Sequence, residues 1–421
     1  MNLQLGCIAD DFTGASDVAL MLAERGMPVT QVLGLPDENL KAGTAAVVIA
    51  LKTRTTKAAE AVRQSRKAAE WLLEQGAQQV MFKYCSTFDS TADGNIGPVT
   101  DALLSVLDDD FTVVCPAFPA NGRTVHNGML MVNGQPLSES SMRHHPLTPM
   151  RNSNLLELMD EQTHEGASIG IDLKTVRGGK ESLRAALARA KHEGYRYAIP
   201  DAETDADLLA LGEACARLKL VTGASGIAIG LPNNFLPIGK ERKSACVPLP
   251  QLPGHAVIIA GSCSQTTRSQ VEFMRAHCGF MDVHPCKLAS GEQSMELLCN
   301  EAVMLWQKGP VMVTSEADPQ KVKEAQAKLG REQAAALVEQ TLAEIAEHLA
   351  SRGACKFILA GGETSGAVAA ALGSGVLLTG PRIDPGVPWM VRADQPTQVL
   401  AFKSGNFGSR DFFLRALEML P

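Results

Sequence analysis

A chain of 421 residues is too long for one ordinary domain and predicts two. Apolar residues make up 45% of it and charged residues 20%, which is typical of a soluble globular protein. The net charge is −7, from 39 basic and 46 acidic residues without a long basic run, so neither nucleic acid nor an anionic membrane is an expected partner.

The amino terminus and the cysteines predict a cytoplasmic location. The opening "MNLQLGCIADD" lacks the basic and apolar segments of a signal peptide, and no uncharged apolar run reaches the about 18 residues of a membrane span. The ten cysteines are scattered without a CxxC motif, as expected for reduced thiols. The apolar elements that carry them leave room for a homodimer face.

Short apolar runs alternate with amphipathic helices along the first half of the chain. The strand-like runs are "LQLGCIA", "AAVVIAL", "QQVMFKY", "FTVVCPAF", "ASIGIDL", "YRYAIPD" and "GIAIGL". Helical stretches such as "TKAAEAVRQSRKAAEWLLEQG" end in a glycine, a residue favoured just after a helix. This alternation predicts an α/β domain with a mostly parallel sheet flanked by helices.

The sequence changes character at "LPNNFLPIGKERKSACVPLPQLPG", which holds five prolines and has no helix or strand period. We interpret residues 236–253 as a linker between an N-terminal domain at 1–235 and a C-terminal domain at 254–421. Alternation resumes with "HAVIIAG", "FMDVHP", "PVMVTS", "KFILAGG" and "TQVLAFK", which predicts a second α/β domain. Ligands of such folds often bind between domains, so the active site is expected in the interdomain cleft.

Three strand-to-helix turns of the second domain are rich in glycine and hydroxyl groups: "AGGETSGAV", "KSGNFG" and "GSCSQTT". Glycine lets backbone N–H groups approach an anion, and a helix N-terminus adds partial positive charge. One such turn could be only a tight turn or a helix cap, but three at one edge of a sheet predict a nucleotide domain. Neither the P-loop pattern nor GxGxxG occurs, so a Walker-type ATPase and a standard NAD dehydrogenase find no support.

The turns of the first domain carry carboxylates, hydroxyls and cations instead. Asp10 and Asp11 follow the first strand, and later turns contain Arg54, Lys83, Ser86, Thr87, Asp89, Asn121 and Arg123. A small, hydroxylated, anionic substrate fits them, because cations bind its carboxylate and Asp or Asn side chains bind its hydroxyls. The aspartates could instead cap a helix, and the cations could be surface charges. The sequence assigns no role to His126, His144 and His145.

Several motifs together resemble the four-carbon acid sugar kinase family, in order along nearly the whole chain: "IADDFTGASD", "KYCSTFDST", "GNIGPV", "CPAFPANGRT", "HHPLTPMRNSNL", "AGGETSGAV" and "KSGNFG". Two of them, "KYCSTFDST" and "HPLTPMRNSNL", resemble the branch that acts on 3-oxo-tetronates more than the threonate or erythronate kinases. At "NSN" this chain has Asn152 where we expect aspartate.

The resemblance implies an acid-sugar domain followed by an ATP domain. The ATP contacts that it implies are Gly361, Gly362, Glu363, Thr364, Gly405 and one of Ser262 and Ser264, of which we favour Ser264.

The function that the resemblance implies is phosphoryl transfer from ATP, with Mg²⁺, to the 4-hydroxyl of a 3-oxo-tetronate. Asp10 or Asp11 would then orient or deprotonate that hydroxyl, and Arg54 and Lys83 would hold the carboxylate. The alternatives are a threonate or erythronate kinase, a metal-dependent enzyme that uses no nucleotide, and a two-lobed acid-sugar-binding protein. The motifs do not distinguish D- from L-substrates, and they predict no metal site made by the protein alone.

Overall fold

The computed structural model describes residues 3–36, 43–145, 148–163, 165–237, 242–315, 319–373, 375–394 and 397–421. The chain divides into two compact units, Met1–Cys246 and Val247–Pro421. This division falls inside the segment 236–253 that the sequence marks as a linker. Phe235 and Leu236 pack against the core of the first unit, whereas Leu249 and Leu252 pack against a core of the second.

The first unit contains a parallel sheet and a small antiparallel sheet. Its strands are β1 (Leu5–Ala9), β2 (Val29–Leu33), β3 (Ala46–Ala50), β4 (Gln79–Lys83), β5 (Thr112–Cys115), β6 (Arg123–His126), β7 (Met129–Val132), β8 (Gln135–Pro136), β9 (Ser168–Ile171), β10 (Tyr197–Pro200) and β11 (Leu220–Gly223). The parallel sheet has the order β2-β3-β1-β4-β11-β5-β10-β9, and β6, β7 and β8 pair antiparallel. Strands β1, β3 and β4 are buried along their whole length, as expected for a parallel sheet covered on both faces.

The helices of the first unit follow the strands. They are α1 (Phe12–Glu24), α2 (Ala58–Glu74), α3 (Ile96–Val106), α4 (Leu155–Asp160), α5 (Leu173–Arg177), α6 (Lys180–His192) and α7 (Asp205–Ala214). Short 3-10 helices lie at Pro119–Asn121, Leu137–Glu139, Ser141–His144, Cys215–Arg217, Ser225–Ile229 and Leu231–Asn234. Helix α2 shows why these segments are helical: its buried positions, Ala61, Ser65, Ala68, Ala69 and Leu72, recur at helical spacing on one face.

The register of the parallel sheet decides which turns meet. Ala9, the last residue of β1, pairs with Ala50 at the end of β3 and with Lys83 at the end of β4. The residues that follow these strands therefore emerge side by side at the carboxyl edge of the sheet, where ligands of such folds bind.

The second unit contains a mixed sheet. Its strands are β12 (Val257–Ala260), β13 (Gly279–Val283), β14 (Val311–Ser315), β15 (Lys356–Ala360), β16 (Val376–Asp384), β17 (Val387–Arg392) and β18 (Val399–Lys403). Strands β13-β14-β12-β15-β18 are parallel, and β17 and then β16 continue the sheet antiparallel. The helices are α8 (Gln265–Met274), α9 (Pro285–Ser290), α10 (Met295–Trp306), α11 (Pro319–Leu329), α12 (Arg331–Ser351), α13 (Gly362–Ala371) and α14 (Phe412–Glu418). Because β12, β15 and β18 are consecutive in the sheet, the three glycine-rich turns are neighbours.

The predicted fold class is confirmed: both units are α/β with mostly parallel sheets flanked by helices. One predicted strand is wrong, since "GIAIGL" forms the 3-10 helix Ser225–Ile229 and the strand is β11, just before it. A Cβ atom on Gly226 would lie 2.5 Å from the carbonyl oxygen of Ala117, so this segment packs closely as a turn of helix. A short apolar run does not distinguish a strand from a buried helix. Strands β2, β6, β7, β8, β11, β16 and β17 were not predicted. The helices of the described residues include none with the length and hydrophobicity of a membrane span.

Candidate active site

The carboxyl end of β1 carries the two predicted catalytic aspartates. Asp11 is the N-cap of α1: its Oδ1 accepts the N–H of Gly14 at 3.0 Å, and its Oδ2 accepts the hydroxyl of Thr13 at 2.6 Å. The capping role that the sequence left open therefore belongs to Asp11. Asp10 precedes it and is buried, with 5% of its surface exposed.

Arg54, on the loop after β3, forms ion pairs with both aspartates. Its Nε and Nη2 donate to the two carboxylate oxygens of Asp10, each at 2.8 Å, and Nη2 also lies 2.7 Å from Oδ1 of Asp11. The backbone supports this contact, because the N–H groups of Thr53 and Arg54 donate to the carbonyl oxygen of Asp10 at 3.0 and 3.2 Å. The fork-shaped pairing fixes the orientation of the Asp10 carboxylate.

A residue missed by sequence reasoning holds the Arg54 loop in place. The Nδ2 of Asn95 donates to the carbonyl oxygens of Thr53 at 2.8 Å and Thr56 at 3.1 Å. Asn95 stands in the motif "GNIG", which the sequence indicates only as the entry to a helix.

Lys83 is the last residue of β4, and its Nζ lies 3.3 Å from Oδ1 of Asp11 and 3.9 Å from Oδ1 of Asp10. It lies over the first turn of α1, where a Cβ atom on Gly14 would overlap its Nζ. The glycine of "DDFTG" is thus required by this close contact.

The four charges balance one another inside the protein. Burial raises the pKa of Asp10, and the nearby cations offset only part of this effect. Burial also acts to raise the pKa of Asp11, but Arg54, Lys83 and the Thr13 hydroxyl outweigh it and hold that pKa well below its usual range. Asp10 is therefore the more basic of the two carboxylates.

The cations of this cluster were predicted to bind the substrate carboxylate. In the structure both are already paired with aspartates. A substrate carboxylate could bind Arg54 or Lys83 only in competition with these ion pairs.

The other predicted substrate contacts lie on neighbouring loops. After β4, Ser86 and Thr87 are buried and Asp89 is half-buried, with the Thr87 hydroxyl donating to Oδ1 of Asp89 at 2.7 Å. After β5, Asn121 ends a 3-10 helix and Arg123 begins β6.

The three histidines take separate places. His126 lies 3.0 Å from a carboxylate oxygen of Glu203, and Nδ1 of His145 accepts the backbone N–H of Thr148 at 3.1 Å. His144 ends a 3-10 helix. At the "NSN" motif, Nδ2 of Asn152 donates to Glu157 at 2.8 Å, so the amide here binds a helix residue.

In the second unit, the turn after β12 carries Ser262 and Ser264. Ser264 is the N-cap of α8, and its Oγ accepts the N–H of Thr267 at 3.1 Å. The same hydroxyl donates to the carbonyl oxygen of Gly405 in the turn after β18. Oγ of Ser262 accepts the N–H of Ser264 at 3.3 Å.

The turn after β15 lies against the turn after β12. Gly361 has φ of +118°, which favours glycine, and a Cβ atom there would lie 3.2 Å from the nitrogen of Ser262. Thr364 is buried where its hydroxyl would overlap a Cβ atom on Gly261. Gly362 and Glu363 are exposed at the start of α13.

The start of α13 carries N–H groups that an anion can bind. Among the described residues no side chain caps this helix, so its first N–H groups are left for a ligand. A Cβ atom on Gly362 would meet nothing within 4 Å, so open space lies beside these groups. These two features suit an anionic ligand.

A buried lysine organises the turn after β18. Lys403 is fully buried, and its Nζ donates to Thr267 Oγ1 at 3.0 Å and to the carbonyl oxygens of Ser404 at 2.9 Å and of Gly405 and Phe407 at 3.3 Å. Burial lowers its pKa to about 7. This structural role was not predicted from the sequence, because the motif "KSGNFG" is equally compatible with a lysine whose side chain contacts a phosphate.

The comparisons with known proteins cover nearly the whole chain. A model of a sugar-binding N-terminal domain matches residues 5–231, and a model of a nucleotide-binding C-terminal domain matches residues 257–413. The curated 3-oxo-tetronate kinase of Pseudomonas fluorescens is 49% identical over 419 residues, which cover 99% of this chain and 97% of that protein. The 3-oxo-tetronate kinase of Salmonella typhimurium is 46% identical, with 98% of each chain covered.

Solved structures agree with these matches. A crystal structure from Salmonella typhimurium LT2 has a TM-score of 0.86 and 44% sequence identity, covering 99% of this chain and 100% of the other. One from Haemophilus influenzae has a TM-score of 0.78 and 41% identity, with the same coverage. The two matching domain models, the relatives of nearly equal length and the order of the motifs lead to one conclusion: the chain belongs to the four-carbon acid sugar kinase family.

Proposed function

We propose that this protein is a kinase that transfers the γ-phosphate of ATP to the 4-hydroxyl of a 3-oxo-tetronate. The observation that carries the proposal is its 49% identity, over 99% of the chain, to a protein named 3-oxo-tetronate kinase. The geometry supports it. A carboxylate cluster lies at the carboxyl edge of the sheet in the first unit. In the second unit, a helix that no side chain of the described residues caps begins beside glycine-rich turns.

The acceptor hydroxyl binds at the end of β1. Asp10 accepts the proton of the 4-hydroxyl, whose oxygen then attacks the γ-phosphorus, and ADP leaves. Asp10 suits this role better than Asp11, because burial raises its pKa and only Arg54 donates hydrogen bonds to its oxygens among the described residues, whereas Thr13, Gly14, Arg54 and Lys83 all donate to those of Asp11. Most of the rate acceleration comes from positioning and charge neutralisation, as is general for phosphoryl transfer.

ATP binds at the three turns of the second unit. The N–H groups at the start of α13 and the backbone of Gly361, Gly362 and Gly405 receive the phosphates, and the side chains of Ser264 and Thr364 line the same turns. These side chains, with Ser262 and Glu363, are the ATP contacts that the proposal assigns.

Mg²⁺ arrives with the nucleotide. The described residues contain no group of three or more His, Cys, Asp and Glu side chains that could hold a metal ion by themselves. Mg²⁺ often keeps several waters and binds through substrate phosphates, and Glu363 supplies an exposed carboxylate at the α13 turn. When bound, the ion neutralises charge that develops on the phosphates.

An ADP-release assay tests the proposal. ATP and Mg²⁺ are supplied with 3-oxo-tetronate, threonate or erythronate, in D- and L-forms, and phosphorus NMR of the product locates the new ester. We expect the highest kcat/KM with a 3-oxo-tetronate and the phosphate on C4. A higher kcat/KM with threonate or erythronate would move the protein to another branch of the family, and no ADP release with any acid would refute the kinase assignment.

Two further expectations stay predictions. The exposed side chains of Leu297 and Met304 lie seven residues apart on α10, and this face is the first place to seek the predicted homodimer by light scattering of the wild type and a Leu297→Ser variant. The cytoplasmic location is a second prediction, for fractionation to test.

A further inference from the structure

Arg123 differs from the other two cations of the first unit. Arg54 and Lys83 each lie within ion-pair distance of an aspartate, whereas no carboxylate among the described residues forms an ion pair with Arg123. Burial opposes the charge of all three. The aspartates more than offset it for Arg54 and Lys83, whose pKa values are raised, but the pKa of Arg123 is lowered.

Two buried donors of the same loop lack a partner. The Nε of Arg123 and the Nδ2 of Asn121 are both shielded from solvent, and no acceptor among the described residues bonds to either. The Nη1 of Arg123 donates to the carbonyl oxygen of Asn121, which ties the two residues together.

The loop that carries them is fixed. The backbone N–H of Arg123 donates to the carbonyl oxygen of Phe118 at 3.1 Å, and the N–H of Phe118 donates back to Arg123 at 2.8 Å. Between Asn121 and Arg123, Gly122 has φ of +71°, and a Cβ atom there would overlap the Asn133 side chain. The backbone that carries the two unpartnered donors is therefore fixed by the loop itself.

A buried donor without an acceptor destabilises a protein by about 1–3 kcal/mol, and an unpaired charge by more. A carboxylate removes both penalties, because its oxygens accept from a guanidinium and from an amide at once. The α-carboxylate is the one charged group of an acid sugar.

We propose that Arg123, with Asn121 Nδ2 beside it, binds the carboxylate of the acid sugar, and that Arg54 and Lys83 serve the aspartates instead. This inference rests on the proposed function. Arg54 and Lys83 then hold Asp10 and Asp11, whereas Arg123 selects acids over neutral sugars.

The loop after β4 lies near both Arg54 and Arg123. Its Cys85 interacts electrostatically with both arginines, and its Asp89 interacts electrostatically with Arg123. An acid sugar anchored by its carboxylate at Arg123 would extend along this loop towards Asp10. The buried Ser86 and Thr87 lie in the same loop, at positions that suit its hydroxyls.

The test compares 3-oxo-tetronate with erythrulose, in which a hydroxymethyl group replaces the carboxylate. In Arg123→Met, we expect kcat/KM for 3-oxo-tetronate to fall about 10- to 100-fold, the range for a lost hydrogen bond to a charged group, mainly through KM. The KM for ATP and the kcat/KM for erythrulose should stay near the wild-type values, so the preference for the acid collapses. A structural defect would instead lower kcat/KM equally for both substrates.

Arg123→Lys and Asn121→Ala keep the test decisive if Arg123→Met folds poorly. Lysine keeps the positive charge but lacks the paired N–H donors of a guanidinium, so Arg123→Lys should retain part of the preference for the acid. Asn121→Ala should weaken that preference less than Arg123→Met does. Arg63→Met is the matched control, because Arg63 is exposed on α2 and pairs with Glu60.

An equal loss for both substrates in Arg123→Met, or a preference abolished by Arg54→Met alone, would overturn the inference and leave the kinase proposal standing. Absence of any ADP release by the wild type with 3-oxo-tetronate would refute the proposed function, and this inference would fall with it.

Discussion

Helix α1 of the first unit and helix α8 of the second begin alike. Each follows a buried parallel strand, and each is capped by an oxygen that accepts the N–H three residues further on. Asp11 accepts from Gly14 at 3.0 Å, and Ser264 accepts from Thr267 at 3.1 Å. The caps differ in charge, because one is a carboxylate and the other a hydroxyl.

This difference decides what each sheet edge can attract. In the first unit, the carboxylate of Asp11 meets the positive end of α1, and Arg54 and Lys83 complete a balanced cluster. In the second unit, Ser264 adds no charge and α13 has no side-chain cap among the described residues. The positive potential there is left for the phosphates of a ligand, whereas the balanced cluster suits a neutral hydroxyl.

The largest expected effect comes from removing the proposed proton acceptor of the balanced cluster. Asp10→Asn takes away the proposed proton acceptor at constant size, and kcat should fall by about 10²–10⁴-fold. Asp11→Asn should lower kcat less, because asparagine caps a helix about as well as aspartate. Steady-state kinetics with ATP and 3-oxo-tetronate measure both.

The control is Asp172→Asn, since Asp172 caps α5 in the same unit without touching the cluster. Its kcat should match the wild type. A wild-type kcat in Asp10→Asn would remove the base from the mechanism, and a larger loss in Asp11→Asn would give that role to Asp11.

Exchanging the N-cap residue of α8 tests whether the charge of the cap decides what the turn binds. Ser264→Asp keeps a capping oxygen but places a negative charge beside the proposed phosphate site. At about 4 Å such a charge costs about 4 kcal/mol at an effective dielectric constant near 20, so the KM for ATP should rise about 10³-fold. The KM for the acid sugar should not change.

Ser264→Asn is the matched variant, because it caps equally well without a charge. Its KM for ATP should stay much closer to the wild-type value than that of Ser264→Asp. If the two variants give the same KM for ATP, the charge of the cap does not decide what the turn binds.

Much of this fold is predictable from the sequence, because buried parallel strands are continuous apolar runs and their carboxyl ends share one edge. The motifs after β1, β12, β15 and β18 could therefore be placed before the structure was known. The strand "GIAIGL" could not be corrected from sequence, since its helical form depends on close packing of Gly226 against Ala117.

The pairing of charges within the site was also out of reach. Arg54 and Lys83 lie 44 and 72 residues from their aspartate partners Asp10 and Asp11, respectively, and they meet them only because β3 and β4 flank β1. The sequence predicts cations near a substrate carboxylate, and sheet order shows which of them the protein already uses.

The smallest expected effect concerns two lysines that end buried parallel strands. Lys83 ends β4 beside aspartates, which outweigh burial and raise its pKa, whereas Lys403 ends β18 among carbonyl oxygens, and burial lowers its pKa to about 7. The folded protein therefore loses the Lys403 proton near pH 7, but the unfolded chain keeps it to about pH 10.4.

Between these pH values the unfolded state binds one more proton, so Lys403 makes the free energy of unfolding rise with pH, by about 1.4 kcal/mol per unit. Lys403→Met lacks this contribution. The difference in free energy of unfolding, wild type minus variant, should be flat below pH 7 and should increase from pH 7 to 9, as urea titrations at fixed temperature can measure. Lys403→Gln cannot titrate either and should give the same slope, whatever its absolute stability. A difference that stays flat from pH 6 to 9 in both variants would mean that the folded protein keeps Lys403 charged. The carbonyl oxygens around Lys403 would then stabilise its charge, as the aspartates stabilise the charge of Lys83.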